Sequence, residues 1–141
     1  MSEKIYYLNA SELLLKIVPE INDEKFEERR NQWNKNLDGY NPYEMQPHLV
    51  FADHLDPYID KLVVAGDRGA DLKRVFDFLE EVASSEDKGL GGLMDATICS
   101  HILGKPGLFK KLEKYMGPNT LAFCKKNQKH YKTDEEYYSG K

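Results

Sequence analysis

Four histidines, two cysteines and many carboxylates give this chain the side chains a metal site would need. The set worth weighing is His48, Asp53, His54, Cys99 and His101. Ligand pairs on one helix sit at spacings such as HxxxH, and thiolate pairs at CxxC. Neither pattern occurs. His48 and His54 are six residues apart and Cys99 and His101 two, so a helix turns each pair onto different faces. Core-edge imidazoles and buried thiols are expected, with no metal and no cofactor. Phosphate chemistry has one candidate, Gly89-Leu90-Gly91-Gly92 beside Lys88. Nucleotide loops place a strand before such glycines and GK[ST] after them, and both are missing here. A helix start with close backbone packing explains these glycines. No G-x-S-x-G appears, and Ser84 and Ser85 lie among acids that would repel an oxyanion. Carboxylate pairs such as Glu27-Glu28 and Glu80-Glu81 fall on solvated faces, where nothing tunes them for acid–base work. The chain reads as a non-enzyme.

Binding chemistry is better represented. The net charge of −4 hides a polarity along the chain. Residues 1–104 carry 20 acids against 11 Lys and Arg, while residues 105–132 carry 8 lysines against the single acid Glu113. Lys110, Lys111, Lys114, Lys125, Lys126 and Lys129, interleaved with Tyr115 and Phe123, form an alternative nucleic-acid face. That stretch lacks arginine, the bidentate reader of phosphates, and the molecule as a whole is acidic. The acids between Asp53 and Asp95 suit a basic protein partner instead, since complementary fields speed encounter and reject like-charged competitors. Asp71, Asp77, Glu80 and Glu81 are the partner-binding candidates, because the apolar period around them points them outward.

The elements that must position these groups are helical. Leu72, Val75, Phe76, Leu79, Val82 and Ala83 recur at helical spacing and place Lys73, Arg74, Asp77, Glu80 and Glu81 on the opposite face. Met45, His48, Leu49, Ala52, Leu55, Ile59, Leu62 and Val63 keep the same period. Pro57 lacks an N–H and predicts a break or a kink there, with Asp56 capping the restart. A third helix carries Leu90, Leu93, Met94, Ile98, His101 and Ile102 and stops at a left-handed Gly104 before Pro106. Shorter helices are predicted from Leu13, Leu14, Ile17, Val18 and Ile21 with an end near Pro19, around Phe26, Trp33 and Leu37, from Leu108, Phe109, Leu112 and Met116, and from Asn119 or Thr120, carrying Leu121, Ala122 and Cys124. Asp38–Pro42 reads as a loop and residues 133–141 as a frayed tail. No stretch alternates as a strand does. The expectation is an all-α single domain over residues 1–141 with six or seven short helices, as an antiparallel bundle or as HEAT-like stacked hairpins.

With 40% hydrophobic residues, 141 residues support a core without disulfides. No apolar run approaches the ~20 residues of a membrane span. Met1–Tyr7 has no secretory character, so a cytoplasmic protein is expected. Three stretches carry a family resemblance: Phe78–Asp87, Leu93–Ala96 and Tyr115–Thr120. Across about residues 44–128 they resemble small uncharacterised bacterial helical proteins that are similar to immunity proteins encoded beside polymorphic toxins. Where such relatives carry acids after the helix core at Met94, this chain has Cys99-Ser100-His101. The resemblance implies a small cytoplasmic binding protein and names no partner.

Overall fold

The apolar periods close into seven helices among the residues described in the computed structural model, 4–33 and 43–131. They are α1 (Ala10–Ile17), α2 (Glu24–Trp33), α3 (residues 47–65), α4 (Gly69–Ser84), α5 (residues 88–103), α6 (Leu108–Leu112) and α7 (Pro118–Asn127). The described residues contain no strand, and the fold is all-α. Leu37, the loop at 38–42 and the tail at 133–141 lie outside the described residues.

α4 is the centre. All six residues of its predicted stripe are buried, and it packs against α1, α3, α5 and α7. Contacts with helices far away in sequence mean closure around one helix, not a stack in which each hairpin meets only its neighbours. Phe78, off the stripe, is buried as well and meets Phe51 of α3 at 6.3 Å between ring centroids. Each such aromatic or aliphatic side chain contributes about 1.5–3 kcal/mol by leaving water.

Pro57 does not break α3 into two helices. The chain runs helically from Pro47 to Ala65, and Phe51–Leu55 widens into a π turn in which the Asp56 N–H donates to the Phe51 carbonyl, five residues back. The wider turn sits just upstream of the proline, where the ring would crowd the carbonyl of Asp53. Asp56 therefore continues the helix and caps nothing. α5 carries a second π stretch, Met94–Cys99, which packs against the first.

Gly104 is not left-handed, its φ being −75°; the positive angles belong to Gly66 and Gly107. Gly104 is small for another reason: a Cβ there would lie 2.8 Å from the Ser100 carbonyl oxygen. Ala122 is exposed, and buried Thr120 takes the inward position on α7 beside Cys124. Both cysteines are buried free thiols, with Sγ atoms 3.7 Å apart between α5 and α7.

At the start of α5, Asp87 accepts from the Gly89 N–H at 2.8 Å and from the Tyr7 N–H at 2.9 Å, pinning the N-terminal segment onto the helix. Gly89 allows this, since a Cβ there would stand 2.9 Å from two atoms of Tyr7. Gly89→Ala is expected to lower stability by about 1 kcal/mol. Urea unfolding checks this, and an unchanged midpoint would show that Tyr7 moves aside freely.

Candidate functional site

The outward acids of α4 meet different fates. Asp71 accepts from Arg68 Nε at 2.6 Å and Arg74 Nη2 at 2.7 Å, and the two guanidinium groups hold its carboxyl below the usual range. Arg74 also grips Glu20 through both η nitrogens, at 2.9 and 2.5 Å. That grip lowers the Glu20 carboxyl to about 2. Asp77 pairs with Lys73 one turn away. Glu80 departs furthest from its expected outward orientation. Its carboxylate accepts from the Asn119 N–H at 3.0 Å, Asn119 Nδ2 at 2.9 Å, the Thr120 N–H at 2.8 Å and Thr120 Oγ1 at 2.9 Å. It closes the start of α7, and so is occupied within the fold.

Glu81 is the exposed acid of the four that opens onto a cavity. The end of α4, the turn Ser84–Asp87 and the N-terminal segment Lys4–Tyr6 enclose a shallow cleft of about 770 Å³. Its acids are Glu81, Glu86 and Asp87, its hydroxyls Ser84 and Ser85, and its cation Lys4, whose Nζ lies 5.6 Å from the Tyr6 ring centroid. Tyr6 is 49% exposed, which leaves an aromatic face beside the carboxylates. Such a cleft can accept an ammonium or guanidinium group through charge and ring together.

The six lysines do not act as one stripe. Lys111 and Lys114 stand over a small cleft at the beginning of α4, together with Arg68. Lys126 turns to Asp95 at 3.2 Å and lies 4.7 Å from the Phe123 ring centroid. Lys110, Lys125 and Lys129 are exposed.

Two polar clusters escape any reading of spacing. Between α3 and α5, His101 Nε2 bonds Asp60 Oδ1 at 2.9 Å while Nδ1 faces Asp56 Oδ2 at 4.0 Å; Lys105 also reaches Asp60. Farther along, His48 Nδ1 bonds Thr97 Oγ1 at 2.8 Å. Asp56 is 5% exposed, and its Oδ1 has no partner among the described residues. Burial, with Asp60 close by, raises its carboxyl to about 8. On the other side of α3, the Tyr43 hydroxyl donates to Asp53 at 2.8 Å and stands 2.8 Å from His54 Nε2, and Arg29 donates to the same Asp53 oxygen at 2.9 Å. Desolvation first, and then Asp53, push the Tyr43 hydroxyl well above its ordinary value. His48 and His54 do point to different faces, as expected. These groups bridge helices, and acids with imidazoles at such distances can hold a proton. No group of three or more His, Cys, Asp and Glu among the described residues is placed to hold a metal.

The sequence profile of a family described as a domain of unknown function, DUF7674, matches residues 11–132. This chain belongs to the DUF7674 family. Neither a curated protein nor a solved structure matches it. The matched stretch takes in α2 to α7 and nearly all of α1, so the helices around α4 are the DUF7674 unit. Of the acidic cleft, Glu81 and Ser84–Asp87 lie inside that unit and Lys4–Tyr6 outside it. No helix of the DUF7674 domain, among the described residues, is long and apolar enough to cross a membrane.

Proposed function

We propose that this DUF7674 protein is a non-enzymatic, cytoplasmic binding protein that receives a basic protein partner, in the manner of an immunity protein neutralising a bacterial toxin. The observation that carries this reading is the acidic cleft, where the exposed Glu81 and Glu86 stand beside the open Tyr6 ring, Asp87 holds the N-terminal segment in place, and Lys4 is the one cation among the described lining residues. Carboxylates on a rigid helix end steer a cationic partner and set its register. Of the acids chosen by periodicity, Glu81 lines the cleft, Asp77 pairs with Lys73 on the exposed side of α4, and Asp71 and Glu80 support the fold.

The test is capture of partners from the native host with the wild-type chain and with the Glu81→Lys, Glu86→Lys variant. A basic protein is expected on the wild type, released as salt rises, and lost by about tenfold or more in affinity in the variant. Both side chains are exposed, so thermal stability should stay within about 0.5 kcal/mol. Recovery of the same protein by both chains would remove the cleft from the interface. A nucleic acid as the captured species would favour the lysine face instead.

A further inference from the structure

We infer that the small cleft at the beginning of α4 is a binding site for a phosphate monoester, separate from the acidic cleft and independent of the reading above. The cleft holds about 180 Å³, with Leu62 and Leu72 in its lining and Arg68, Lys111, Lys114 and Tyr115 as its polar groups. Two stretches far apart in sequence supply these residues: the end of α3 with the start of α4, and α6 with the turn after it. Convergence of three cations on one concavity is unusual in a molecule of net charge −4.

The cations differ in how far they are already engaged. Arg68 gives its Nε to Asp71, which Arg74 shares, and neither Arg68 η nitrogen has an acceptor among the described residues. A guanidinium has five donors, so most of this fork stays open to an oxyanion. Lys111 and Lys114 are exposed and have no carboxylate within ion-pairing distance among the described residues. Lys114 leans over the Tyr115 ring, with its Nζ 5.3 Å from the centroid. The Tyr115 hydroxyl has no hydrogen-bond partner among the described residues. Gly69 gives it room, since a Cβ there would stand only 3.3 Å from the hydroxyl oxygen. One planar fork, two ammonium groups and a hydroxyl can together satisfy a tetrahedral dianion.

Charge and size choose the ester class. Asp71 is shared by Arg68 and Arg74, so the surplus lies on Lys111 and Lys114 with the open edge of Arg68, which matches a monoester near −2 better than a diester of −1. The concavity takes one head group with a small apolar neighbour against Leu62 and Leu72, not a run of nucleic-acid backbone.

The test is a nuclear magnetic resonance titration of the full chain with phenyl phosphate at low salt and pH 7.5. Saturable shifts confined to residues 62–72 and 108–115 are expected. Lys111→Ala with Lys114→Ala should weaken binding about tenfold. Tyr115→Phe should weaken it about threefold. Lys125→Ala with Lys129→Ala, on α7, should leave it unchanged. Binding should fade as pH drops below about 6, where the dianionic ester takes up a proton and becomes a monoanion. A phosphotyrosine peptide binding more tightly than phenyl phosphate assigns the ester to a protein, and equal binding assigns it to a small molecule; either result keeps the site. Absence of saturation, undiminished binding in the double-lysine variant, or equal binding of dimethyl phosphate would overturn the assignment. None of these outcomes bears on capture of a basic protein at the acidic cleft.

Discussion

Asp56→Asn is expected to raise stability at pH 7.5 by about 2–4 kcal/mol, an unusual gain from a single buried substitution. The reason is a carboxyl group placed where its charge is poorly served. Asp56 is almost wholly buried, Oδ1 lacks a partner among the described residues, and Oδ2 stands 4.0 Å from the His101 ring. Asp60 adds a like charge from the next turn, and Lys105 offsets only part of it. The carboxyl is accordingly raised to about 8. Below the ordinary aspartate range both folded and unfolded chains keep the proton, and the site costs little. Between there and about pH 8 the unfolded chain has released a proton that the folded chain retains. Stability therefore falls with rising pH by about 1.4 kcal/mol per unit through this window and levels off above it. Asparagine has the same shape without the ionisation, and gives back about 1–3 kcal/mol for an imperfectly paired amide. Chemical unfolding from pH 4.5 to 8.5 is the measurement. The wild-type curve should decline and the variant's should lie flatter, with the two crossing near the acid end. A wild-type curve that is flat from pH 5 to 8 would show that Asp56 is ionised at little cost.

The second large effect concerns the seam between α4 and α7. Glu80→Ala should cost about 2–3 kcal/mol, because it leaves two N–H groups at the start of α7 and the buried Thr120 hydroxyl without their acceptor. α7 has no side-chain cap of its own, since Gly117 precedes it. Gly117→Ala should cost about 2 kcal/mol by the same route. Its backbone angles, φ −78° and ψ 175°, suit alanine, but the new Cβ would stand 2.4 Å from the Glu80 carboxyl carbon. The glutamate must leave, and the cap leaves with it. The double variant should then cost little more than either single one. Additive losses in a double-mutant cycle would separate the two residues. Burial works against the Glu80 charge, yet the four donors outweigh it and hold its carboxyl below the usual range. This contribution is present above the ordinary glutamate range and is lost as pH falls toward the lowered value. At the acid end it opposes the Asp56 trend, so the stability maximum should fall in mildly acidic solution.

The helices were legible where one face is apolar over several turns. α4 shows this best: Leu72 to Ala83 recur at helical spacing, and all six are buried. Cys99 and Cys124 were readable as buried thiols from their spacing, though not as neighbours. The glycines at 89–92 were readable as a close-packed helix start, and Gly89 against Tyr7 is that contact. The sequence predicts a break or a kink at Pro57 because the rule for proline concerns a regular α-helix. A π turn at Phe51–Leu55 absorbs the ring, and no residue pattern announced it.

The site was less legible than the fold. Periodicity puts Asp71, Asp77, Glu80 and Glu81 on the outward side of α4, but it does not say what lies over that side. Arg68 and Arg74 took Asp71, the start of α7 took Glu80, and the N-terminal segment made a cleft beside Glu81. The lysines likewise separated: Lys111 and Lys114 line a concavity near Arg68, Lys126 pairs with Asp95, and Lys110, Lys125 and Lys129 stay exposed.

By itself the amino-acid order determined that this chain is helical, which residues its helices bury, and how its charge is divided. Those properties depend on neighbours within a few residues, because one helical turn brings i, i+3 and i+4 together. The assignment of each polar group to latch, cleft or buried acid came only with the tertiary structure. Glu80 and Thr120 are 40 residues apart, and Asp60 and His101 are 41. A hydrogen bond across such a distance is decided by how helices pack, and no local period encodes it.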